Sequence, residues 1–168
     1  QHNLVAISQD LQATSNCDEA GEGDSSAICG NSAANTIKPI GQSNAAEGID
    51  VTDISQNNEI TSMNQEIIEN NDCDESGSGN NLAECSSTAS NFIGSVVQEN
   101  AAAGNFFSDI SQGNDAAFSQ TLDLSNDCNE STLTATSENN EAGCGSSAAN
   151  FIGAVSQANG ATALDDSS

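Results

Sequence analysis

Six cysteines and 25 carboxylates are the residues of this 168-residue chain whose types could do chemistry. The cysteines fall into three pairs, Cys17 with Cys29, Cys73 with Cys85 and Cys128 with Cys144. No pair has the CxxC spacing of a redox or zinc site, and one histidine, His2, cannot complete a metal set. Their even number and like surroundings ("TSNCDEAG", "NNDCDESG", "SNDCNEST") favour three short-range disulfides in an oxidising setting. Each would clip one polar loop, and closing a loop of that size stabilises by about 3 kcal/mol in the chain-entropy account.

The acids gather in those loops. Asp18, Glu19, Glu22 and Asp24, partly repeated by Asp74 and Glu75, offer oxygen ligands among flexible glycines, the chemistry Ca2+ requires. There is no EF-hand spacing and no Gly-Gly-x-Gly-x-Asp nonapeptide, so solvated charge is the plainer reading. No cofactor is expected; were an ion bound, Ca2+ would fit. Catalysis finds no footing: His2 alone cannot build a Ser-His-Asp or Cys-His set, and no two carboxylates stand apart from the rest. Asn129-Glu130-Ser131 is an N-glycosylation sequon on an exposed loop.

The charge sets limits of its own. One lysine, Lys38, and no arginine leave a net charge of −24. Phosphate backbones and anionic membrane surfaces need clustered cations, so neither nucleic acid nor membrane is an expected partner. No run approaches the length of a membrane-crossing helix. The missing initiator Met and leader suit a mature secreted form, and Gln1 could cyclise. Disorder is opposed by apolar residues in short alternating runs and by regularly spaced cysteines.

What must position these groups is a repeat. The first cysteines stand 56 and 55 residues apart, and the flanking segments align: "NTIKPIGQSNAA", "NFIGSVVQENAA" and "NFIGAVSQANGA". Three approximate units, 1–48, 49–104 and 105–168, make one array. The units are out of phase with the ends of the chain. A second copy placed after Ser168 would continue the cysteine step at 57 residues. We therefore expect a neighbouring copy to complete the repeat.

Each unit offers candidate strands; in the second they are Asn91–Gln98, Phe106–Gln112 and Ala117–Ser125. The last alternates, with Phe118, Gln120, Leu122 and Leu124 on one face. "ENAAAGN" and "QGND" read as Gly- and Asn-bearing corners. Helix is disfavoured, because the Ala-rich pieces are short and crowded with Asn, Ser and Gly. A face that mixes Ile, Val and Phe with Gln is costly to bury unless like residues stack. Stacked units would give amide ladders Gln9–Gln65–Gln120, Gln42–Gln98–Gln157, Gln56–Gln112 and Asn35–Asn91–Asn150, as in cross-β arrays. Stacking would also set Asp53 over Asp109 and Asp72 over Asp127, which repel unless they face water or share a cation.

"QGNDAAFSQ" and "QENAAAGN" resemble the curlin repeats of bacterial curli, with Asn114, Ala116 and Gln120 matching the latter part of that pattern. The chain also resembles secreted Asn/Gln-rich repeat proteins with paired cysteines from archaea. The curlin resemblance implies a secreted subunit that stacks into biofilm fibres as a β-solenoid; the period and the cysteines depart from curlins. The expected fold is all-β, a solenoid-like array with disulfide-clipped loops, against the alternative of a β-sandwich pilin that donates a strand. The expected function is an extracellular filament subunit, biofilm matrix or pilus-like, joined head to tail to itself. The alternative is a monomeric acidic adhesin or surface-layer protein that binds Ca2+.

Overall fold

A computed structural model describes residues 1–21, 23–48, 53–77, 80–105, 109–132 and 140–164. Among these the protein is an all-β domain of ten strands: β1 (His2–Asn16), β2 (Glu19–Gly21), β3 (Ser25–Ile37), β4 (Ile40–Gly48), β5 (Asp53–Gly77), β6 (Asn81–Ile93), β7 (Val96–Asn105), β8 (Asp109–Thr132), β9 (Asn140–Ile152) and β10 (Val155–Leu164). They form three sheets. β1 and β2 pair with β5, which pairs with β8; β6 lies between β3 and β9; β7 lies between β4 and β10. Every pairing is parallel, and equivalent repeat positions meet: Gln9 with Gln65 and Gln120, Cys29 with Cys85 and Cys144, Asn44 with Asn100 and Asn159. The register slips once on each side of β5, at Val5/Ala6 and at Ile60/Met63, where β5 carries one extra residue.

The long-strand sheet packs against both shorter ones. Strand alternation decides what lies between them. On β5 the inward residues run Ile54, Gln56, Asn58, Ile60, then after the bulge Met63, Gln65, Ile67, Glu69, Asn71, Cys73 and Glu75. Ile37, Ile60, Met63, Ile93 and Val96 form one apolar cluster beside the bend between the shorter sheets. Ala33, Ile67 and Ala89 form a second, against Leu122 and Leu124.

The strand expected over Asn91–Gln98 is two strands, split at Gly94-Ser95. The same bend falls at Lys38-Pro39 and Gly153-Ala154. Gln112 and Ala117–Ser125, expected in separate strands, share β8, while Phe106–Ser108 lie outside the described residues. The expected corners Glu99–Asn105 and Gln112–Asp115 are strand. Their Asn and Gly residues serve the stack instead of a turn: Asn100 and Asn114 bond inside it, and a Cβ on Gly113 would lie 2.8 Å from Asn57 Oδ1.

Candidate functional site

The buried amides form columns that run through the stack. Gln65 Nε2 donates to Gln9 Oε1 at 2.8 Å, and Gln120 Nε2 donates to Gln65 Oε1 at 2.8 Å. Gln98 donates to Gln42, and Gln157 to Gln98, each at 2.7 Å. Gln112 donates to Gln56 at 2.8 Å. Asn35 donates to Asn91 and Asn91 to Asn150, each at 3.1 Å. The remaining N–H of each amide goes across the interior to a backbone carbonyl: Gln65 to Phe92, Gln120 to Phe151, Gln98 to Asp115 and Asn91 to Thr121. An interior amide is tolerated because both of its donors and its acceptor are used. The carbonyl partners also settle which end of each amide is nitrogen.

A further column is absent from the sequence-level expectations. Asn3, Asn44, Asn58, Asn100, Asn114 and Asn159 bond in a zigzag between the long-strand sheet and the β4–β7–β10 sheet, each step between 2.9 and 3.1 Å. The signal was in the sequence as Gln-x-Asn at Gln1, Gln42, Gln56, Gln98, Gln112 and Gln157, two per repeat. Asn read as a turn former hides it.

All three cysteine pairs are disulfide-bonded, with Cα–Cα distances of 6.0 Å for Cys17–Cys29 and 6.1 Å for both Cys73–Cys85 and Cys128–Cys144. Cys73 and Cys128 tie β5 and β8 to β6 and β9 across the interior, Cys17 ties the link between β1 and β2 to β3, and the sulfurs pack on one another. β3 starts at Ser25, so each clip encloses strand as well as loop.

The carboxylates divide between the two sides of the sheet. Asp18, Asp72 and Asp74 lie outside, with one oxygen of each within 4.8 Å of the others, an arrangement able to coordinate a metal ion. Asp74 also accepts from Asn129 Nδ2 at 3.0 Å, and this sequon asparagine, expected on a loop, stands on strand β8. Desolvation holds the Asp72 carboxyl above its ordinary value, and the charges of Asp74, Asp18 and Asp127 push the same way. Asp72 registers with Asp127, and Asp53 with Asp109. Of the other expected ligands, Asp24 accepts from the Asn80 backbone N–H at 2.9 Å, and Glu19 is exposed on β2. Glu75 turns inward, where Ser25 donates to it, and Glu22 lies outside the described residues. Glu69 also faces inward. It is fully buried, and neither of its oxygens has a hydrogen-bond partner.

The two ends of the stack are unlike its middle. β3 and β4 pack between β1 and β5, and β6 and β7 between β5 and β8, whereas among the described residues β9 and β10 meet only β8 of the long strands. Ile152 and Val155 are accordingly 41% and 46% exposed, against 0% for their equivalents Ile93 and Val96. No protein-family model, curated protein or solved structure matches the chain. No helix among the described residues is long and apolar enough to cross a membrane.

Proposed function

We propose that the chain is a structural subunit of an extracellular filament, a β-solenoid whose copies join head to tail by strand addition. One observation carries this reading: among the described residues, β9 and β10 lack the second long strand that covers β3, β4, β6 and β7. In the proposed joint, β1 of a second copy pairs along β8 and closes over β9 and β10, burying Ile152 and Val155.

The direction follows from the amides. At the β8 edge the Gln120 side-chain carbonyl is the open end of its column, and at the β1 edge the open end is the Gln9 amide N–H. Head to tail, these meet as donor and acceptor; head to head, carbonyl meets carbonyl. The three disulfides and the curlin resemblance support a secreted setting. Parallel pairing throughout favours stacking over a donated-strand sandwich, which is built from antiparallel sheets. The role is structural, and the acidic surface leaves nucleic acid and membranes out of the partnership. The Asp18–Asp72–Asp74 group favours a second reading, an acidic adhesin that binds Ca2+.

Electron cryo-microscopy of the oxidised chain tests the joint. Three layers of strands per copy should give filaments rising about 14 Å per chain. Deleting residues 1–9 should abolish growth while leaving a soluble, disulfide-bonded protein. Filaments of normal length from that deletion, or a wild-type chain that stays monomeric at all concentrations and salt levels, would refute it.

A further inference from the structure

The bend between the shorter sheets repeats three times, and its first residue is Lys38, Gly94 or Gly153. A Cβ on Gly94 would stand 2.6 Å from Pro39 N and 3.0 Å from Lys38 C; one on Gly153 would stand 2.9 Å from Ser95 N and 3.0 Å from Gly94 C. In both steps the obstructing atoms include the backbone of the preceding bend, which cannot swing aside as a side chain would. The glycines let neighbouring bends close to the distance their ladder bonds need: Gly94 N–H donates to Ile37 O and Gly153 N–H to Ile93 O, each at 2.8 Å.

Lys38 occupies the same place in the first bend and carries the Cβ that the other two bends exclude. Among the described residues this costs nothing, because no earlier bend lies beneath it and the residue is exposed. In a head-to-tail stack, the reading on which this inference rests, Lys38 settles onto the Gly153-Ala154 peptide of the neighbouring copy. Repeating the internal step there would press its Cβ into that backbone.

We propose that Lys38 is a steric brake on self-assembly. Its Cβ holds the joint open at this bend and weakens the ladder bond from Lys38 N–H to Ile152 O of the neighbouring copy. The joint between chains is then weaker than the two steps inside each chain, so filaments shed and exchange whole, folded subunits. The lysine charge is not what acts.

The test compares the oxidised full-length wild type with Lys38→Gly and Lys38→Ala, reading the critical concentration for assembly by sedimentation. Lys38→Gly removes the Cβ and the charge, whereas Lys38→Ala removes the charge and keeps the Cβ. We expect Lys38→Gly to lower the critical concentration about tenfold and Lys38→Ala to stay within about twofold of wild type. Equal lowering by both variants would mean that charge acts, and an unchanged Lys38→Gly would mean that the bends do not meet; either overturns the proposal while leaving stacking intact. A wild type that forms no filament would overturn the stacking itself. Gly153→Ala supplies a check that needs no assembly: it places the methyl at an internal step and should lower the unfolding midpoint of the dispersed protein. An unchanged midpoint would remove the steric argument.

Discussion

Gln65 and Glu69 sit on the same face of β5 with only Ile67 between them on that face, and they are 1% and 0% exposed. Their side chains have nearly the same shape, but their situations are opposite. Gln65 has glutamine on both flanking strands and spends every polar atom on Gln9, Gln120 or Phe92. Glu69 is flanked by Ala13 and Leu124, and its carboxylate has no partner. Ser87 carries a hydroxyl in this part of the interior, but its proton goes to Asn126 at 2.8 Å. Stacking identical units satisfies a buried polar group only when each member of the column can both donate and accept. An amide does so indefinitely; a carboxylate only accepts, and alanine and leucine give it nothing.

The sharpest way to break the contrast is to turn the first site into the second. Gln65→Glu removes the donors to Gln9 Oε1 and Phe92 O and leaves a buried charge served by Gln120 alone. We expect a loss of about 4 kcal/mol near neutral pH, seen as a lower urea midpoint at unchanged slope. Acidification should recover part of it, because a protonated carboxyl regains one donor. A variant within about 1 kcal/mol of wild type would show that the columns do not hold the interior together.

The same contrast explains what could be read from the sequence alone. Spacing relative to the cysteines was enough to pair Gln9, Gln65 and Gln120, because a period kept to within one residue puts equivalents in register. Alternation was enough to turn Phe118, Gln120, Leu122 and Leu124 to one side. What the sequence concealed were places where one residue type does two jobs. Asn100 and Asn114 look like turn residues and are column members. Gly94 reads as the interior of one strand over Asn91–Gln98 and is the bend itself. Glu69 and Glu75 look like two more surface acids in an acidic chain; only the strand's alternation through Cys73 turns them inward, while Asp72 and Asp74 turn out.

A smaller effect is expected from relieving the second site. Glu69→Leu places at this position the residue that Leu124 already supplies one strand away. It should stabilise by about 2 kcal/mol near neutral pH, since an unpaired buried carboxylate is replaced by apolar contact. Burial raises the Glu69 carboxyl above its ordinary 4.5. The folded state therefore holds the proton more tightly than the unfolded state does. Its contribution to stability is fully present below 4.5 and is lost as pH rises through the raised value. Urea midpoints of wild type and Glu69→Leu should thus lie closest in acid and separate as pH rises. A constant gap across that window would place the Glu69 titration at its unfolded value.

The smallest expected effect is the most specific, because it gives Glu69 the partner its column lacks. In the glutamine columns the amide on β8 donates to the residue in register on β5, as Gln112 does to Gln56 and Gln120 to Gln65, each at 2.8 Å. Leu124→Gln sets the same donor in register with Glu69. Alone, the change loses apolar burial against Ile67 and Ala89 and gains one charge-assisted hydrogen bond, so the net change in stability should be near zero. The information lies in the coupling. With Glu69→Leu already present, Leu124→Gln has nothing to bond and should cost about 1.5 kcal/mol more than it does in the wild-type background. A double-mutant cycle with no coupling would mean that the downward donation seen at Gln112 and Gln120 depends on having glutamine on both strands, and that the columns are built from amides as pairs instead of from register alone.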